Sequence, residues 1–112
     1  MIKETFGEYI HRLRVDASMT LTKLAAALDI DQSTLSKIEN GKRLVPENII
    51  PKLANVFELK LEELQKEYYS EKIAEIIYPQ SDTAELLKLA EEKAEYYRAK
   101  QLKQGKLDFD KQ

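Results

Sequence analysis

The sequence predicts an all-α fold, on three observations. Apolar residues recur every three or four positions almost throughout, which is the spacing of one helix face. Glycine and proline number 3 each, too few for the turn every ~8–12 residues that a sandwich of short strands requires. Strand signals do not rise above noise beside that helical spacing. At 112 residues the chain holds one small domain and an appendage. It is too short for a dinucleotide-binding domain joined to a substrate domain, or for an eight-stranded α/β barrel.

The helices follow in order. Phe6, Ile10, Leu13 and Ala17 form the stripe of a first helix over about residues 5–17. Leu21, Leu24, Ala25 and Leu28 mark a shorter second helix, with Thr20 as its N-cap. Asp29-Ile30-Asp31 breaks the run, and Asp31 caps a third helix over 32–40, whose inward pair is Leu35 and Ile38. Asn40-Gly41 ends it, because glycine accepts a left-handed C-terminal turn. Pro46 fits the first turn of a fourth helix, where its missing N–H costs nothing. Pro51 is expected to distort that helix at most locally, and Ile50, Leu53, Ala54 and Phe57 supply its stripe. A fifth helix carries Leu61, Leu64, Tyr68, Ile73, Ile76 and Ile77 as far as Tyr78. After Pro79-Gln80-Ser81, Asp82 and Glu85 read as an N-cap pair. The sixth helix carries Leu86, Leu89, Ala90, Ala94 and Tyr97 to about Gln104, and the tail beyond Gly105 reads as frayed. Residues 1–69 therefore form a five-helix unit and residues 70–112 a helical extension.

Composition excludes several chemistries. The absence of cysteine rules out disulfides, iron–sulfur clusters and thiol catalysis, and one histidine makes no multi-histidine metal site. There is no nucleophile–base set and no phosphate-cradling glycine loop, so the chain reads as neither an enzyme nor a cofactor or small-molecule binder. No run approaches the ~18–20 apolar residues of a membrane span. The opening residues Met1 to Gly7 lack an apolar signal core, so a cytoplasmic protein is expected. The net charge of −2 looks wrong for a nucleic-acid binder, but its distribution does not. Residues 1–60 carry nine basic and eight acidic groups, and the rest carry nine and twelve. Residues 32–43 hold Lys37, Lys42 and Arg43 against Glu39 alone.

The joint between the second and third helices carries the functional signal. Two short helices around a three-residue turn form a helix-turn-helix unit, which makes one helix project. A DNA major groove, ~12 Å wide, admits one such helix. At 100° per residue, Gln32, Ser33, Ser36, Lys37 and Asn40 share one face opposite Leu35 and Ile38, with no acidic or bulky apolar group among them. Gln32 suits adenine N6 and N7, Ser33 or Ser36 either kind of base edge, and Lys37 guanine O6 and N7. Thr34 can bring its methyl to a thymine. Asn40, Lys42 and Arg43 are placed for phosphates, with Thr20 and Thr22 on the other side.

Residues 6–64 resemble the phage repressor/Cro-type (xenobiotic response element) helix-turn-helix family. Phe6-Gly7 with Ile10, Leu13 and Arg14 resembles its first helix, and Leu24-Ala25 with Leu28 and Ile30 its second helix and turn. The run from Gln32 through Lys37 to Arg43 resembles its recognition helix and exit, and Ala54, Phe57, Leu61 and Leu64 its closing pattern. The resemblance implies a five-helix lambda-repressor-like domain that binds double-stranded DNA. It places Ala25 where the second and third helices touch. It also makes Arg14 and Glu39 a structural pair bridging the first and third helices. Two positions depart from the family. Leu21 stands where the family usually has glutamine, which leaves Thr20, Thr22 or a backbone N–H for that contact. Asp29 stands where a turn glycine is common, and aspartate tolerates left-handed geometry.

Other features read as structure. His11 suits a surface or half-buried site, and Glu91, Glu92 and Glu95 a solvated helix face. Tyr68-Tyr69 and Tyr96-Tyr97 suit packing or subunit contact better than base stacking. The apolar stripe Ile73, Ile76, Ile77, Leu86, Leu89, Ala90 and Tyr97 predicts a homodimer through the last two helices, the rival being a sixth helix folded back on its own chain. The expected function is a dimeric transcription regulator of a near-palindromic operator, autoregulatory or controlling a restriction–modification type operon. The alternative is an antitoxin-like module that binds a partner protein as well as DNA.

Overall fold

The computed structural model describes residues 3–111, with side chains described to residue 102. The elements are α1 (Phe6–Asp16), α2 (Leu21–Leu28), α3 (Gln32–Glu39), a 3₁₀ turn (Glu47–Ile49), α4 (Ile50–Val56), α5 (Leu61–Ile77) and α6 (Thr83–Lys111). No strand occurs among the described residues. Two compact units result, Met1–Ile73 and Ala74–Gln112, and the division falls within α5.

Side-chain oxygens start the first three helices. Thr5 accepts from Glu8 N while the Glu8 carboxylate accepts from Thr5 N, a reciprocal capping box on α1. Thr20 accepts from Lys23 N at the start of α2, and Asp31 from Thr34 N at the start of α3. Four helices end alike, each on a residue with positive φ: Ser18, Asp29, Gly41 and Glu58. In each case the next residue's N–H reaches back five positions: Met19 to Arg14 O, Ile30 to Ala25 O, Lys42 to Lys37 O, Leu59 to Ala54 O. This motif satisfies carbonyls that a helix end leaves orphaned. Met19, Ile30 and Leu59 then pack against the core, which fixes the chain's exit direction.

The core gathers Ile10 of α1, Leu24 and Leu28 of α2, Leu35 and Ile38 of α3, Ile49, Ile50 and Leu53 around α4, and Leu64 of α5, each 2% exposed or less. Phe6 and Tyr68 meet edge to face at 5.6 Å, and the Tyr68 hydroxyl donates to Val45 O at 2.9 Å. Burial of such side chains contributes ~1.5–3 kcal/mol each.

Three expectations need correction. Leu13 is only half-buried and Ala17 is an exposed cap, so the first stripe closes after Ile10. Pro46 precedes the fourth helix rather than lying in it, because the chain first makes the 3₁₀ turn. Pro51 then falls in the first turn of α4, where its absent N–H breaks no bond. The sixth helix continues through Gly105 to Lys111 instead of ending near Gln104. An interior glycine costs a helix ~1 kcal/mol relative to alanine, which weakens but does not stop it, and no proline follows. The frayed tail expected over 106–112 falls among residues whose side chains are not described, and Gln112 lies outside the described residues altogether.

In the second unit, Asp82 Oδ1 accepts from Glu85 N to open α6. Ile76, Tyr78, Leu87, Leu89, Tyr96 and Tyr97 are exposed there, as are Glu91, Glu92 and Glu95.

Candidate nucleic-acid interface

The placement of α3 begins in the turn before it. Asp29 adopts φ 58°, ψ 43°, which reverses the chain after α2, and Asp31 returns to extended backbone to cap α3. Ala25 is buried on α2, where a small side chain lets α3 approach. Gly7 does the same from α1: a Cβ built there would overlap the Ile38 carbonyl oxygen. Two close approaches thus fix the buried side of α3 and force its other side outward.

A polar lock reinforces this packing. Arg14 Nε donates to Glu39 Oε2 at 2.8 Å and Nη2 to Oε1 at 3.0 Å, while Nη1 donates to Met19 O at 2.9 Å. His11 Nδ1 lies 2.7 Å from the same Oε1. Burial pushes the Glu39 carboxyl up, but hydrogen bonds from Arg14 and His11 outweigh it and hold it below the usual carboxylate value. His11, exposed at its outer edge, is a partner that the sequence reading missed. Its one available signal was the helical spacing of three that puts it beside Arg14.

On the outer side, Gln32, Ser33, Lys37 and Asn40 are exposed, whereas Thr34 and Ser36 are half-buried. The Asn40 amide folds back to donate to Ser36 O at 2.9 Å. Lys42 and Arg43 are exposed just beyond, and Thr20, the cap of α2, and Thr22 in its first turn are exposed. Thr22 Oγ1 donates to Gln32 Oε1 at 2.6 Å, which ties the first side chain of α3 to the neighbouring helix. Ser33 Oγ donates to Asp31 Oδ1 at 2.8 Å. Hydrogen bonds from the Thr34 N–H and the Ser33 hydroxyl lower the Asp31 carboxyl to about 2. The two early tyrosines face elsewhere: Tyr68 is buried, and the Tyr69 hydroxyl donates to Glu47.

A projecting short helix whose outer face, Gln32, Ser33, Lys37 and Asn40, carries no acidic side chain and is followed by the exposed cations Lys42 and Arg43 defines a DNA-binding regulator of the helix-turn-helix class. A helix-turn-helix family model matches residues 10–64. The HTH-type transcriptional repressor RghR of Bacillus subtilis (strain 168) is 38% identical over 101 residues, covering 88% of this chain and 72% of that protein. An uncharacterized HTH-type transcriptional regulator of the same organism, RghRB, is 42% identical over 60 residues, covering 53% of this chain and 43% of that one. No solved structure matches the chain. The chain belongs to the Cro/repressor-type helix-turn-helix family, whose members regulate transcription by binding DNA and are not enzymes. Among the described residues, no helix is long and apolar enough to cross a membrane.

Proposed function

We propose that the protein is a sequence-specific repressor that binds a near-palindromic operator as a homodimer and acts on the promoter of its own operon. The observation that carries this reading is the outer face of α3, where Gln32, Ser33 and Lys37 are exposed while Leu35 and Ile38 are buried behind them. On this reading those three side chains reach base edges, with Thr34 and Ser36 at the margin of the contact. Thr20, Thr22, Asn40, Lys42 and Arg43 contact phosphates. The similarity to a repressor favours repression over activation. The resemblance to restriction–modification controllers makes an operon of that type one setting for it.

One short helix spans only a few base pairs. Two copies one DNA turn apart, ~34–36 Å, read a longer and nearly symmetric site. The exposed apolar residues of the second unit supply surface for such pairing. An antitoxin role would be favoured by an unstructured segment after residue 79, and the helix Thr83–Lys111 runs against it.

Titration of the protein into labelled duplex from its own upstream region tests the reading. Gln32→Ala and Lys37→Ala should each weaken specific binding by ~1–3 kcal/mol and relax the preference at one base pair. Wild-type affinity in both variants would refute the assignment of α3.

A further inference from the structure

We propose that Asp31 is a positioning residue for specificity, restricting Ser33 to bases that display an exocyclic amine, adenine or cytosine, in the major groove. The inference deepens the DNA-reading assignment of α3 and rests on it.

A serine hydroxyl has one proton to give and lone pairs to receive, so serine ordinarily suits either kind of base edge. Here the proton is already committed. Ser33 Oγ donates to Asp31 Oδ1 at 2.8 Å, and the same oxygen accepts from Thr34 N at 2.7 Å. An ionised carboxylate only accepts, so this bond has one possible direction. The Asp31 carboxyl titrates at about 2, which keeps it ionised across the neutral range. Charge-assisted hydrogen bonds of this kind are stronger than neutral ones. What Ser33 presents to a duplex is therefore a pair of lone pairs. They accept from adenine N6 or cytosine N4, and they oppose guanine O6 and thymine O4.

A second effect has the same sign. Asp31 is exposed beside Ser33, and its negative charge repels acceptor edges and attracts amines. Arg43 lies close enough to lower the same carboxyl, and it offsets the repulsion between Asp31 and the phosphates. Asp31 thus does two jobs: it caps α3, and it orients the first serine of α3.

Selection of bound duplexes from a random pool tests this, using the full chain at fixed salt. Ser33→Ala identifies the base pair that Ser33 faces, as the position whose preference collapses. At that pair the wild type should enrich adenine or cytosine roughly tenfold over guanine or thymine on the contacted strand. Asp31→Ser retains a side-chain oxygen to cap α3, removes the carboxylate and frees the Ser33 proton. It should admit guanine and thymine at that pair alone, with thermal melts showing that the fold is kept. A wild-type preference for guanine or thymine there, or an unchanged preference in Asp31→Ser, overturns the inference while leaving the DNA reading intact. A wild-type chain that enriches no sequence overturns both.

Discussion

Arg14 and Glu39 join α1 to the last residue of α3 through two parallel hydrogen bonds, at 2.8 and 3.0 Å. The Glu39 side chain is 4% exposed and that of Arg14 13%. A pair this enclosed adds little over well-packed apolar residues, but breaking it strands a charge. Arg14→Ala leaves Glu39 with His11 alone and should cost about 3 kcal/mol. Urea denaturation followed by circular dichroism measures it. A loss below about 1 kcal/mol would show that His11 and water suffice for Glu39.

Acid should act on α3 from both ends. Asp31 at its start and Glu39 at its end are held below their usual values of 3.8 and 4.5. A carboxyl lowered by folding stabilises the native state only while it is ionised. Its contribution is therefore full above those values and is lost as pH falls, for Asp31 between about 4 and about 2. Asp31→Asn keeps a capping oxygen but does not titrate. Its stability, followed by urea melts from about pH 6 down to about pH 2.5, should fall less steeply than that of the wild type. Equal slopes would show that Asp31 is not coupled to folding.

Gly7 permits the approach of α1 to α3 by lacking a side chain, and the obstacle to a larger residue is backbone rather than a movable tip. Gly7→Ala gains helix propensity on α1, worth ~1 kcal/mol, yet must push α3 away. Overpacking costs ~1–3 kcal/mol and should win, since a carbonyl cannot rotate aside. The melting temperature should fall, and operator binding should weaken because the outer face of α3 tilts with its inner face. A rise in melting temperature would show that the interface yields.

The helices and the turn between α2 and α3 were legible because the apolar spacing and the caps agree. Thr20, Asp31 and Asn40-Gly41 each carry a local rule that the packing does not override. The left-handed turns at Ser18 and Glu58 were not legible, since neither residue favours positive φ. Their motif is driven by the following apolar residue, Met19 or Leu59, which reaches the core only if the preceding one turns left-handed. The capping box Thr5-Phe6-Gly7-Glu8 was present in the sequence as a spacing of three. The tethers on Gln32 and Ser33 were not, because they depend on where Thr22 and Asp31 point in space.

Charge and sequence reading should separate experimentally. Arg43 is exposed beyond the end of α3 and on the proposed reading contacts a phosphate. Arg43→Ala should weaken every duplex alike and lower the slope of log affinity against log salt by about 1. Lys37→Ala, on the face proposed to read bases, should cost discrimination at one base pair instead. Specificity lost in Arg43→Ala with an unchanged salt slope would move Arg43 from the phosphates to a base.

The second unit should decide the assembly state. Ile76 of α5 and Leu89 and Tyr97 of α6 are 64%, 44% and 66% exposed, an unusual amount of large apolar surface. On the proposed reading a second copy covers it, and the dimer brings two α3 helices to one site. The core of the first unit closes without residues 79–112, with Leu64 and Tyr68 as its last members. A chain ending before Pro79 should therefore fold, sediment as a monomer and bind a half-site weakly, while the full chain sediments as a dimer. A truncated chain that remains dimeric would move the interface into the first unit. A full chain that is monomeric at micromolar concentration would require DNA itself to bring the two copies together.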